Sequence, residues 1–136
     1  MDFDWTSEQL ELRARAREVA AGGVAKYGRH NDSWMNGYSK EFAKEMAENG
    51  WIGMTWPTAF GGGGQPAINR LIVGEEMIAA GAPIASMWFA DRQMGPSLIT
   101  YGTADQQAGQ TCQPIWIAGL AWLRFPPPRT TLGRTR

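Results

Sequence analysis

Up to residue 107 no alternation of apolar and polar residues runs long enough to make a strand. Segments with helical spacing follow one another instead, most of them opened by a capping residue and closed by a glycine. That punctuation confines the chain to an all-α fold. Thr6 and Gln9 stand three apart as a capping box, and Trp5 and Leu10 have the spacing of a hydrophobic staple. Leu12, Ala16, Val19 and Ala20 continue an apolar stripe, and Gly22-Gly23 predicts that the helix ends or weakens there. His30 to Ser33 reads as a loop. Ser39 caps a second helix through Asn49, with Phe42, Ala43, Met46 and Ala47 inward and Gly50 as its left-handed stop.

Trp51 to Pro57 reads as a compact apolar connector, and Phe60-Gly61-Gly62-Gly63-Gly64 as a flexible, hinge-like loop. Pro66 suits the start of a third helix with Ile68, Leu71, Ile72, Glu75 and Ala79 as its stripe, closed by Gly81 and Pro83. A fourth segment runs from Ile84 to Met94 and resumes after Gly95-Pro96 to Tyr101. Thr103 with Gln106 then forms another capping box. The expected body is a bundle of four or five short helices.

With 136 residues, one domain is the expectation. Lys plus Arg and Asp plus Glu total 13 each, so the chain lacks the basic excess of a nucleic-acid binder. Mean hydropathy is −0.34, and the longest nearly uninterrupted apolar stretch, Pro114 to Leu123, falls well short of the ~20 residues of a membrane span. Cys112 is the single cysteine, and no secretory h-region is visible, so a soluble, cytoplasmic protein is expected. The neutral balance conceals an asymmetry. Residues 1 to 107 carry a net charge of −4, and residues 108 to 136, which have no Asp, Glu or Lys, carry +4.

No catalytic constellation assembles from this inventory, and no metal-ligand set is present. His30 lies among turn residues, and Cys112 has no second thiol or neighbouring histidine. Glu75 and Glu76 point about 100° apart on a helix, which does not suit an acid/base couple; one of them is a candidate for burial against an arginine. The glycine run lacks the strand before it and the Lys-Ser/Thr after it that a phosphate cradle needs. Met87, Trp88, Phe89 and Met94 read first as core, with an apolar slot for a lipid-like ligand as the functional alternative.

Three spaced motifs give this series of helices a likeness. Glu48-Asn49-Gly50-Trp51-Ile52-Gly53-Met54, followed by Trp56-Pro57 and Phe60-Gly61-Gly62, resembles a connector of the acyl-CoA dehydrogenases. Val73-Gly74-Glu75-Glu76-Met77 resembles their paired-glutamate helix. Gly95-Pro96-Ser97-Leu98-Ile99-Thr100-Tyr101-Gly102-Thr103-Ala104-Asp105-Gln106 resembles the stretch after it. The details Gly81-Ala82-Pro83 and Asp91-Arg92-Gln93 resemble the bacterial branch with steroid and branched-chain catabolic members.

The resemblance spans residues 4 to 107 and implies the family's N-terminal helical domain. It also implies FAD as the family's cofactor and acyl-CoA as the substrate class. Family members remove a proton α to the thioester while hydride passes from the β-carbon to the flavin. No residue here matches the catalytic base or the main flavin contacts, which the family carries in later domains, so FAD is not expected to be retained by this chain alone. The helix corresponding to Ser86 through Gln93 faces the far end of the acyl chain in the family. Trp88, Phe89, Arg92 and Gln93 are therefore the substrate-proximal candidates, with no catalytic residue among them.

The leading expectation is thus a dehydrogenase N-terminal fragment, not competent alone. The alternatives are a non-catalytic helical module or subunit completing a split dehydrogenase, and a free-standing acyl or lipid binder. An exposed apolar face, covered in the family, would favour homo- or hetero-oligomers. Residues 1–107 form the expected domain. Residues 108–136, rich in Arg, Pro, Gly and Trp, read as a disordered or vestigial tail from a displaced reading frame, with a genuine docking segment as the alternative.

Overall fold

A computed structural model of the chain describes residues 4–111. Its helices are α1 (Ser7–Tyr27), α2 (Ser33–Asn36), α3 (Lys40–Glu48), α4 (Ala67–Ala80), α5 (Ala85–Phe89), α6 (Gly95–Tyr101) and α7 (Ala104–Thr111). A 3-10 turn at Thr58–Phe60 precedes α4, and a π-helical turn at Ala90–Met94 joins α5 to α6. Among the described residues the only β pairing is an isolated bridge between Tyr38 and Ile84. The fold is all-α.

The caps form as their residue types dictate. Thr6 Oγ1 accepts the Gln9 amide at 3.2 Å and Gln9 Oε1 accepts the Thr6 amide at 3.0 Å, closing the box at α1. Ser39 Oγ accepts the Phe42 amide at 3.0 Å. Thr103 and Gln106 repeat the reciprocal pair at α7. Gly81 ends α4 in the left-handed conformation with φ 77°, and Gly50 takes φ 73° after α3. α1 packs along α4, and Phe42 and Met46 of α3, Met54 of the connector, Ile72 and Met77 of α4 and Ile84 fill the core with them. A smaller cluster joins Trp56 to Ala90, with Ile99 against it.

Four local expectations are corrected. α1 passes through Gly22-Gly23 and ends only at Gly28, with φ 84°. The Phe42 ring packs on Gly23 and buries it, and a Cβ there would overlap that ring, so this glycine admits α3 and does not stop α1. Leu10, the residue expected to staple against Trp5, is 52% exposed. The Arg13 guanidinium instead lies 5.9 Å from the centroid of the Trp5 ring.

The buried face of α4 is Ile72, Val73, Glu76 and Met77, with Leu71, Glu75 and Ala79 outside. Apolar residues nearly encircle this helix, so their spacing does not select a face. Glu76, reached by two arginines of α1, fixes the rotation. Finally, the glycine loop is tied down. The amides of Gly61, Gly62, Gly63, Gly64 and Gln65 donate to the carbonyls of Thr58, Pro57, Gly53, Trp56 and Met54, respectively.

α7 continues across Gln107, where the sequence places the domain boundary. The expected irregular tail lies outside the described residues beyond Thr111.

Candidate functional site

α5, the π turn and α6 form one uninterrupted helical run, and the π turn is where other parts of the fold converge. Asp91 sits in that turn, 4% exposed. Its Oδ1 accepts the Gly53 amide at 2.7 Å, and its backbone carbonyl accepts Trp56 Nε1–H at 3.1 Å. One residue therefore clamps the Trp51–Pro57 connector to the helical run at two points. Its Oδ2 faces Arg70 Nη1 of α4 at 3.7 Å, an ionic contact too long for a good hydrogen bond. Burial pushes the Asp91 carboxyl above the ordinary range, opposed by the Gly53 amide and by Arg70 and Arg92.

The four substrate-proximal candidates fall on two sides of this run. Trp88 and Arg92 turn inward and meet: the Arg92 guanidinium carbon lies 3.8 Å from the centroid of the Trp88 ring, a cation–π stack. Trp34 packs at a tilt against Trp88, with ring centroids 6.0 Å apart. Burial, and then the like charge of Arg70, lowers the Arg92 guanidinium from its usual value. Phe89 is half-buried and Gln93 exposed, four residues apart, and neither lines the crevice that Trp88 and Arg92 border.

A crevice behind Trp88 and Arg92 is lined by Trp51, Met54, Val73, Met77, Ile84 and Met87, with Arg70, Gly74 and Asp91 at its edge, and offers about 20 Å³. That is room for one water, not for an acyl chain. Of the expected apolar slot, Met87 and Trp88 line this crevice and Phe89 and Met94 do not.

Sequence reasoning missed Asp91 as the clamp and Arg70 as its neighbour. Only the adjacency of Asp91 and Arg92 to a long apolar run gave a signal.

Elsewhere, Glu76 fulfils the expectation that one of the paired glutamates is buried against an arginine. Its side chain is 8% exposed; Oε1 accepts Arg13 Nε–H at 2.6 Å and Oε2 accepts Arg17 Nε–H at 2.9 Å. Arg17, and then Arg13, hold this carboxyl below the usual range against the effect of burial. The pair is structural.

The glycine loop does not suit phosphate. Its five successive amides, from Gly61 to Gln65, already donate within the protein. His30 is half-buried in a loop, where its amide donates to the Gly81 carbonyl. Among the described residues no three His, Cys, Asp or Glu side chains gather as a metal site, and no helix is long and apolar enough to cross a membrane.

Comparison with known proteins adds a consistent set of relatives. Residues 6–110 match the family profile described as acyl-CoA dehydrogenase, N-terminal domain. The chain is 29% identical over 113 residues to acyl-CoA dehydrogenase FadE26 of Mycobacterium tuberculosis, spanning 79% of this chain and 28% of that protein. It is 34% identical over 106 residues to the 3-sulfinopropanoyl-CoA desulfinase of Variovorax paradoxus, spanning 76% of this chain and 26% of that protein.

Among solved structures, the Tcur3481-Tcur3483 steroid ACAD superposes with TM-score 0.70 at 26% identity, over 87% of this chain and 31% of that one. The ChsE4-ChsE5 complex of Mycobacterium tuberculosis superposes with TM-score 0.67 at 27% identity, over 88% of this chain and 30% of that one. The chain thus spans under a third of the length of each of these relatives.

Proposed function

Because the chain belongs to the acyl-CoA dehydrogenase N-terminal-domain family, we propose that residues 6–110 form one helical wall of an acyl-thioester site. Phe89 and Gln93 are the residues of that wall that meet the acyl chain, and Trp88 with Arg92 back it from inside. The observation that carries this reading is the split of the four candidates about the π turn. Asp91 clamps the run to Gly53 and Trp56, which leaves half-buried Phe89 and exposed Gln93, neither of them lining the crevice, on a fixed support.

Acyl-CoA dehydrogenases are FAD-dependent in general. The one glycine-rich loop does not fit the phosphates of that cofactor, since its amides are spent internally. No flavin step is assigned to the described residues, nor is any described carboxylate placed as a base: Glu76 is held by two arginines and Asp91 by Gly53. On this reading the wall binds and orients, and chemistry belongs to other parts of a complete enzyme.

A second reading, a subunit of a two-polypeptide dehydrogenase, draws on the ChsE4-ChsE5 neighbour, which is itself a complex. The crevice behind Trp88, with room for one water, does not serve a free-standing lipid binder. The named relatives range from a steroid ACAD to a 3-sulfinopropanoyl-CoA enzyme, so kinship does not choose the acyl group.

The test is a dye-reduction assay of the purified 136-residue chain with added FAD and a panel of acyl-CoA thioesters. No reduction is expected from the chain alone, and no visible flavin band is expected in the purified protein. Reduction of the dye by this chain would overturn a wall-only role.

A further inference from the structure

Arg70 and Arg92 both border an open groove of about 350 Å³ floored by Ala67, Ile68 and Leu71. Its lining comes mostly from α4, and neither Phe89 nor Gln93 is part of it. Its charges do not balance. Arg92 has no ion pair or hydrogen bond to a carboxylate among the described residues. Arg70 has only Asp91 Oδ2 at 3.7 Å, while the other oxygen of that carboxylate is committed to the Gly53 amide at 2.7 Å. Two guanidinium forks thus share one carboxylate that is half spent elsewhere. Half-buried guanidinium groups short of carboxylate partners favour an anion that completes them.

Arg92 is also held in place. Trp88 lies against one face of its guanidinium, and Gly74 gives it room on α4, where an added Cβ would stand 2.8 Å from Arg92 Nη2. A glycine in the interior of a helix weakens it, and here the missing Cβ leaves the space that the guanidinium occupies. A planar fork fixed by stacking suits bidentate recognition of a carboxylate.

We propose that this groove binds an aliphatic carboxylate, its oxoanion between Arg70 and Arg92 and its chain along Ile68 and Leu71. The anion supplies the charge that Asp91 does not, and the exposed apolar floor supplies the contact for a short hydrocarbon tail. The same chemistry is presented by a free carboxylic acid and by the far carboxylate of a dicarboxylic acyl thioester.

The test is a nuclear magnetic resonance titration of the full 136-residue chain, following Trp88 Nε1–H and the Arg70 and Arg92 Nε–H signals. Hexanoate should shift these signals saturably, whereas inorganic phosphate and hexanol, each lacking one half of the recognised group, should bind about tenfold more weakly or not at all. Adipoyl-CoA binding more tightly than both hexanoyl-CoA and hexanoate would assign the thioester source; hexanoate matching adipoyl-CoA would assign the free acid. Either result supports the site.

Gly74→Ala keeps both charges but displaces the Arg92 guanidinium, and should weaken hexanoate about tenfold with the helical circular dichroism unchanged. Arg92→Gln should do the same or more. Equal binding of hexanol and hexanoate, or no shift at Trp88 and Arg92 in the unsubstituted chain, would overturn the proposal whatever the variants do. Because the outer wall at Phe89 and Gln93 is not probed, failure here leaves the wall reading standing.

Discussion

Replacing Gly95 by alanine tests the packing that holds the π turn, and its effect should depend on Trp56. Gly95 is buried at the start of α6 with ordinary helical angles, so alanine would by itself favour the helix by up to about 1 kcal/mol. A Cβ there, however, would overlap the outer ring of the Trp56 indole at Cζ2. The indole cannot retreat easily. It is buried, its Nε1–H is bonded to the Asp91 carbonyl, and a Cβ at Gly53 would meet its Cε3 at 2.9 Å from another side.

Overpacking of a rigid ring costs about 1–3 kcal/mol, so Gly95→Ala should destabilise by about 1–2 kcal/mol net. Trp56→Phe removes the outer ring and the donor, and should itself cost about 2–4 kcal/mol from lost burial and an unpaired carbonyl. In the Trp56→Phe background the overlap is gone, and Gly95→Ala should become neutral or stabilising, a coupling of about 1–3 kcal/mol. Urea unfolding followed by far-UV circular dichroism measures all four proteins. Equal cost of Gly95→Ala in both backgrounds would refute the reasoning.

Three further outcomes are expected. Gly23→Ala should destabilise by about 1–3 kcal/mol through overlap with Phe42, whereas Gly22→Ala, with open space around it, should be neutral or stabilising by up to about 1 kcal/mol in the same urea assay. The folded Glu76 carboxyl is held low, so its contribution to stability is present above the ordinary carboxylate range and is lost as pH falls through the depressed value. Glu76→Gln should therefore flatten the acid side of the stability–pH curve, and an unchanged acid limb would contradict the role given to Arg17 and Arg13. The amides of Gly61 to Gln65, each donating to a carbonyl, should resist hydrogen exchange as an ordered turn does, in contrast to a freely flexible glycine loop.

What the sequence made legible followed from short-range chemistry. Thr6 with Gln9, Ser39, Gly50, Gly81 and Thr103 with Gln106 signal helix ends through groups only a few residues apart, and all of them perform as their types dictate. The errors arose where a distant partner decided. Gly23 reads as a breaker until Phe42 is placed beside it, and the rotation of α4 depends on arginines 59 and 63 residues away. The glycine run reads as flexible because its acceptors, the carbonyls of Gly53, Met54 and Trp56 among them, lie in a connector with no regular pattern. Within the candidate site, the family resemblance proposed Trp88, Phe89, Arg92 and Gln93 together. The division between an inner and an outer pair depends on the π turn, which no periodicity announces.

Photo-crosslinking addresses the wall reading most directly. An acyl-CoA bearing a diazirine at the far end of its acyl chain would be bound to the 136-residue chain, irradiated, and the labelled residues mapped by mass spectrometry, with unlabelled acyl-CoA as competitor. The account predicts competable labelling at Phe89 and Gln93, on the outer side of the helical run. Competable labelling confined to other helices, with Phe89 and Gln93 unmodified, would contradict it.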